Sequence, residues 1–230
     1  MKTKIIALFA VLVSLLHLTA CAQQQAGKRY FEIPNAETIS IDIACQLIVV
    51  QGNKPNIEIL GEEDLLNEIE TKIANGKVTL RSERDWKFRD KVVVKVEADN
   101  LRRLNIGGAV DMKTVETLQL ANLKMSVSGV GNIEMSLKSE NFELTCSGVC
   151  NMDITGGTEN LSVKVSGVGN IDATEFKSIY ADVSNSGVGK INVLVVDELD
   201  ATVSGIGSIR YAGNPSVRAN ISGLGSVKKY

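Results

Sequence analysis

A short motif returns six times at nearly constant spacing in the second half of the sequence. Each copy begins with Ser-Gly, continues with an aliphatic residue and ends on a second aliphatic residue three positions later. The leading glycines are separated by steps of 19, 19, 20, 18 and 18 residues, and they are Gly129, Gly148, Gly167, Gly187, Gly205 and Gly223. A fixed period of this size is typical of repeat proteins, in which each unit packs mainly on its neighbours. The repeat therefore restricts the chain to a stacked architecture.

Each repeat predicts β-strands. Residues 161–165, before the glycines, and residues 170–173, after them, alternate between apolar and polar side chains, as half-buried strands do. The glycines between them allow a sharp bend, and no helical window separates the strands. Two or three short strands per repeat match one coil of a parallel β-helix, whose strands lie about 4.8 Å apart. We therefore predict an all-β chain, a right-handed parallel β-helix-like solenoid of Gly-rich 18–20-residue coils.

Aligning the copies predicts which side chains stack. Two positions are aliphatic in every copy, and we expect both to point into the interior. The first column consists of Val130, Val149, Val168, Val188, Ile206 and Leu224, and the second of Ile133, Met152, Ile171, Ile191, Ile209 and Val227. The serine before each leading glycine predicts a hydroxyl ladder at a corner. Asn132, Asn151 and Asn170 predict an amide ladder, a device typical of stacked strands.

The residues before the repeat predict a β-rich structure without the glycine motif at the N-terminal end of the solenoid. Residues 30–104 lack the glycine step but contain strand-like segments at 38–44, 47–50, 56–60, 77–81 and 92–97. Asn75-Gly76 indicates a tight hairpin turn, and residues 62–70 indicate one or two turns of helix. We interpret residues 30–104 as an N-terminal β-rich cap, either packed on the first coil or continuous with it. The Gly-rich solenoid is then predicted for residues 105–230, with a degenerate copy of the repeat at 105–110.

The first residues predict export. Lys2 and Lys4 precede a largely apolar run at residues 5–18, too short to cross a bilayer but typical of a signal peptide. The sequence Leu-Thr-Ala-Cys at 18–21 resembles the bacterial lipobox, which predicts a lipoprotein signal peptide at 1–20 and lipid attachment at Cys21. Residues 21–29 then form a tether. Ala22 favours outer-membrane sorting, and both faces of that membrane remain compatible with the sequence.

Composition excludes several classes of function. Of 25 basic residues, Lys2 and Lys4 lie in the predicted signal, which leaves 23 against 27 acidic residues and argues against a nucleic-acid partner. The single histidine, His17, also lies in the signal, so the predicted mature chain lacks the commonest general base. No motif predicts a cofactor or a metal.

Three groups of residues nevertheless have a functional interpretation beside a structural one. Glu134, Asp153 and Asp172 share a column, which suggests either a calcium site or acid pair for polysaccharide cleavage, or a solvated column; we favour the solvated column, because its sign changes in later copies. Cys146 and Cys150 suggest either a disulfide or two small buried thiols. Trp86 and Phe88 suggest either a partner contact or aromatics packed on the cap.

The order of these segments resembles a known family. An Ile-rich opening at 39–43, the segments at 48–52 and 92–96, and the repeated Ser-Gly-Val-Gly-Asn-Ile resemble the family named putative auto-transporter adhesin, head GIN domain, over roughly 30–230. Cys150, and either Asn185 or Cys146 in an otherwise apolar column, depart from the pattern. The resemblance implies a β-helix-like fold in an exported, often lipid-anchored protein, and it supplies no catalytic residues.

The predicted function is a non-catalytic, lipid-anchored cell-envelope protein, an adhesin-like or interaction module. Its partners would be the membrane, through lipid on Cys21, and a protein or glycan at the repetitive face. Two alternatives remain: a carbohydrate-active β-helix enzyme, and a periplasmic structural protein without a separate ligand.

Overall fold

The computed structural model describes residues 26–83 and 91–230 of the chain, and most of them lie in strands. Within these residues there are seventeen strands and one short helix. They are β1 (Ala26–Glu32), β2 (Thr38–Asp42), β3 (Cys45–Gln51), β4 (Asn56–Glu62), α1 (Glu63–Asn67), β5 (Glu70–Ala74), β6 (Lys77–Arg81), β7 (Val93–Ala98), β8 (Arg103–Ile106), β9 (Ala109–Thr114), β10 (Leu118–Val127), β11 (Val130–Cys146), β12 (Val149–Val165), β13 (Val168–Asn185), β14 (Val188–Val203), β15 (Ile206–Ala212), β16 (Ser216–Ile221) and β17 (Leu224–Lys229).

The glycine repeat is one coil of a parallel β-solenoid of about 7 turns, which confirms the predicted all-β solenoid. Strands β11 and β12 pair in parallel with Val130 beside Val149, and β12 and β13 pair with Val149 beside Val168. Like residues therefore stack on like residues. The pairing of β12 with β13 shifts between Asp153 and Thr155, and this irregularity accommodates the single 20-residue step of the repeat.

One of the two predicted interior columns is correct and the other is wrong. Ile133, Ile171 and the other members of the second column through Ile209 are buried. The first column instead points to solvent, with Val130 51% and Leu224 79% exposed. Successive side chains of a strand point to opposite faces, so residues three apart cannot both face inward.

The N-terminal part is continuous with the solenoid. Strand β2 pairs in parallel with both β6 and β8, and β3 pairs in parallel with both β7 and β9, so coils are already present before residue 105. Antiparallel pairs, β1 with β4, β4 with β7 and β5 with β6, then close this end. Strand β1 begins at Ala26, so the folded part starts four residues before the predicted boundary at 30.

The predicted local features of the cap are present. Asn75 and Gly76 both have positive φ angles, 51° and 70°, and they connect the antiparallel strands β5 and β6. This combination suits a two-residue hairpin turn whose twist matches that of the strands. Helix α1 lies within the predicted segment 62–70 and buries Leu65 and Leu66.

The leading glycine of each repeat is required by the stacking distance. A Cβ atom built on Gly167 would lie 2.0 Å from the carbonyl oxygen of Gly148 in the preceding coil. That oxygen accepts the hydrogen bond from the Val168 N–H at 2.9 Å, so it cannot move away without loss of coil-to-coil pairing. Three of the corner serines also donate to the preceding coil: the hydroxyls of Ser128, Ser166 and Ser186 bond to backbone carbonyls at 3.4, 3.4 and 3.2 Å. At these three corners, hydroxyl-to-carbonyl bonds replace the predicted serine ladder.

We expect Gly167→Ala to lower the free energy of unfolding by about 3 kcal/mol, because the new methyl group meets backbone that is fixed by pairing. Gly131→Ala is the matched control. Its Cβ atom would meet only the side chains of Val127 and Ile133, at 3.1 Å, and its cost should be less than about 1.5 kcal/mol. Denaturant titration of both variants checks the difference, and equal losses would contradict this account of the corner.

Candidate functional site

Three of the predicted site residues fall outside the two described ranges. Cys21, Trp86 and Phe88 lie outside the described residues, so lipid attachment and the aromatic partner contact stay predictions. No helix in the described part of the chain is long and apolar enough to cross a membrane.

Cys146 and Cys150 meet on the inner side of a corner. Both side chains are fully buried free thiols, and the Cys146 thiol donates to the Gly148 carbonyl at 3.7 Å. Cys150 takes an inward position that glycine occupies in the neighbouring coils, since it pairs with Gly131 and Gly169. The hydrogen bond with Cys146, and then burial, raise the pKa of the Cys150 thiol. Burial also raises the pKa of Cys45 to about 12.

The three carboxylates lie in adjacent coils as predicted. Glu134 pairs with Asp153, and Asp153 pairs with Asp172. The Thr174 hydroxyl donates to Asp172 at 2.6 Å, and this bond holds the pKa of that carboxyl below its ordinary value. In the two described ranges no group of three His, Cys, Asp or Glu side chains is placed to hold a metal ion. The arrangement is that of a solvated column, flanked by Lys113 on the preceding coil.

The predicted amide ladder forms between two of its three members. Asn170 donates to Asn151 at 3.3 Å, whereas Asn132 donates to Asp111 of the preceding coil at the same distance. A second ladder was missed. Asn141 donates to Asn122 at 2.8 Å, and Asn160 donates to Asn141 at 3.0 Å. The signal was present in the sequence, because these three asparagines are spaced by one repeat.

The exposed first column forms an extended apolar feature on the surface of the described residues. Its members are each at least 38% exposed, and they are Val130, Val149, Val168, Val188, Ile206 and Leu224. They stack in register from β11 to β17. With about 4.8 Å between strands, the six side chains form a line about 24 Å long. We call this line the aliphatic ladder.

The parallel β-solenoid and its regular surface ladders identify this chain as a repeat protein with an extended, repetitive surface. Its family can also be stated. The model of the family described as "Putative auto-transporter adhesin, head GIN domain" matches residues 36–215, and the chain belongs to that family.

Solved structures share the fold. A "putative adhesin" from Bacteroides fragilis NCTC 9343 has a TM-score of 0.85 at 23% identity. A "Putative lipid binding protein" and a "putative adhesin", both from Parabacteroides distasonis ATCC 8503, have TM-scores of 0.69 and 0.66 at 19% and 18% identity. Each comparison covers 90% of this chain and 98% of the other. Among curated proteins, none matches this sequence significantly.

We expect the cysteines to be buried thiols without a disulfide. A Cys21→Ser variant leaves Cys45, Cys146 and Cys150 as the cysteines of the predicted mature chain. At a pH of about 8 these thiols should not react with Ellman's reagent in the native protein, since all three are buried and the reagent cannot reach them. After denaturation without a reductant, three thiols per chain should react. A single reactive thiol would instead show that Cys146 and Cys150 are bridged.

Proposed function

We propose that the chain is a non-catalytic, lipid-anchored cell-envelope protein that acts as an adhesin-like interaction module. The observation that carries the proposal is the aliphatic ladder. Six large aliphatic side chains in one unbroken exposed line are uncommon on a protein that has no partner, and contiguous apolar patches mark interaction sites. The solenoid supports the ladder rigidly, so a partner would meet it with little loss of conformational entropy.

The anchor in this proposal is Cys21. Strand β1 begins at Ala26, so at most a few residues separate the predicted lipid from the folded cap. An extended residue spans about 3.3–3.6 Å, and the cap would therefore stand within about 20 Å of the membrane. The long axis of the solenoid would then carry the ladder away from the bilayer.

Catalysis at the carboxylate column is a weaker interpretation of this protein. The one histidine of the chain, His17, belongs to the predicted signal, so catalysis would depend on carboxylates, lysine, tyrosine or serine. The carboxylate column faces solvent, with Glu134 and Asp153 exposed. An acid pair of a glycosidase needs one carboxyl whose pKa is raised, and the pKa of Asp172 moves the other way.

Protease shaving of intact and lysed cells tests where the protein acts. We expect a protease added to intact cells to remove the signal of an antibody against the folded part, because an adhesin must be exposed. A periplasmic protein of known location serves as the control for cell integrity. Survival of the signal until lysis would reject adhesion and favour a structural role in the envelope.

Substitutions in the aliphatic ladder test the surface itself. The triple variant Val149→Thr, Val168→Thr and Val188→Thr keeps side-chain shape and β-propensity while it removes apolar surface. We expect cells that produce it to lose most of their attachment to each other and to mucin-coated glass, with the thermal unfolding midpoint unchanged. A matched control replaces Thr145 and Thr202, on the strand before the corner, by valine. Attachment equal to that of the parent protein would contradict the proposed role of the ladder.

A further inference from the structure

An open groove lined by both polar and apolar groups crosses the strands on the side of the solenoid that precedes the corner serines. It is formed by outward side chains of β11 to β14 and has a volume of about 500 Å³. This volume lies within the range of small-molecule sites. We call it the Tyr180 groove and define it by Asn160, Ser162, Lys164, Tyr180 and Asp182.

The groove exists because one column contains a small residue between two longer ones. Ser162 stacks between Glu143 on the preceding coil and Asp182 on the following coil. Glu143 is held in place by an ion pair with Lys124, at 2.7 Å. The short Ser162 side chain therefore leaves a depression between the two longer side chains, whose strands each lie about 4.8 Å from its own. We call this depression the floor of the groove.

The second amide ladder leaves an acceptor at the edge of this floor. Its hydrogen bonds all run in one direction, from Asn160 to Asn141 and from Asn141 to Asn122. The next coil has Tyr180 in place of an asparagine, so no amide there donates to Asn160. The Oδ1 atom of Asn160 consequently remains available, and hydrogen bonds along the ladder polarise it further.

The charged groups around the floor are of two kinds. Arg218 engages Asp200 at 2.7 Å and Glu198 at 3.0 Å, and the hydrogen bond from Arg218 holds the pKa of Asp200 below its ordinary value. Asp182 and Lys164, by contrast, make no ion pair with any residue that the structure describes. The groove thus offers a free carboxylate acceptor and a free ammonium donor on one surface.

Tyr180 gives the groove an apolar wall. Three aromatic side chains are largely exposed in the part of the chain that the structure describes. Tyr30 lies in the cap and Tyr230 follows the last strand, whereas Tyr180, 41% exposed, stands on the side of the solenoid beside the groove. Its ring is an apolar surface with a polar hydroxyl at the tip.

We propose that the Tyr180 groove binds a sugar unit of a neutral glycan. A sugar presents C–H groups that pack on an aromatic ring, and hydroxyl groups that each donate and accept. Tyr180 supplies the ring, Asp182 and Asn160 accept, and Lys164 donates. The stacked coils would place successive sugar units along the groove. This inference rests on the proposed function and names the class of partner for one surface of the module.

Affinity electrophoresis of the purified full-length protein tests the proposal, with mannan, xylan or dextran cast separately into the gel. We expect at least one of these neutral polysaccharides to retard the protein. The apparent affinity should fall on the order of ten-fold in Tyr180→Ala, which removes the ring. Ser162→Gln, which fills the floor and keeps every wall group, should have a similar effect. Tyr30→Ala is the matched aromatic control and should bind as the parent does.

Salt separates a neutral glycan from a cationic peptide. Retardation should be the same at about 0.1 M and about 1 M salt, because a neutral ligand has no charge to screen. The proposal is overturned if none of the three polysaccharides retards the protein, or if Tyr180→Ala and Ser162→Gln bind as the parent does. Binding of oligolysine in preference to all three, weakened by salt, would assign the groove to a basic peptide. None of these outcomes changes the shaving or attachment results, so the proposed function stands or fails separately.

Discussion

The distance between the backbones of successive coils at the corner glycines governs the whole structure. At Gly148, Gly167 and Gly205 the carbonyl oxygen of the preceding coil lies 2.0 Å from where a Cβ atom would have to be. This contact permits the corner to repeat without offset, and the in-register pairing of β11 to β14 on both sides of the corner follows from it. A larger residue at any of these corners would separate the strands on both sides of it.

In-register stacking turns one sequence position into a physical line along the molecule. Inside, the line is a row of aliphatic side chains such as Ile133, Met152 and Ile171. Outside, it can be a row of amides, of carboxylates or of valines. The same rule explains the tolerance of Cys150. It stacks between Gly131 and Gly169, and a Cβ atom added to either of those two glycines would meet side chains rather than backbone.

Two kinds of surface feature therefore arise. One forms where a column keeps the same residue type from coil to coil, and the other forms where the residue type changes. The aliphatic ladder keeps one chemical type over six coils and so presents a long, uniform apolar edge. The Tyr180 groove arises where two columns change type, at Ser162 and at Tyr180. A uniform edge suits contact with an extended partner, and a local break in a column suits a small unit such as a sugar. Both fit the interaction module that we propose.

The sequence by itself determined the coil. Six copies of one motif, alternating strands and Asn75-Gly76 were enough to predict the solenoid, its period and the hairpin of the cap, because these depend on local backbone preferences. Conservation of aliphatic type misled the prediction for Val130 and its equivalents, although the two-residue alternation of a strand already placed Val130 and Ile133 on opposite faces.

Only the tertiary structure decided where the solenoid begins and where its groove lies. The parallel pairing of β2 with β8 adds a coil that has no Ser-Gly motif, because strand pairing needs backbone groups and not a particular side chain. The groove combines Ser162 with Tyr180, and Glu143 with Asp182, from three coils. Their proximity is a property of stacking at about 4.8 Å, which no single repeat contains.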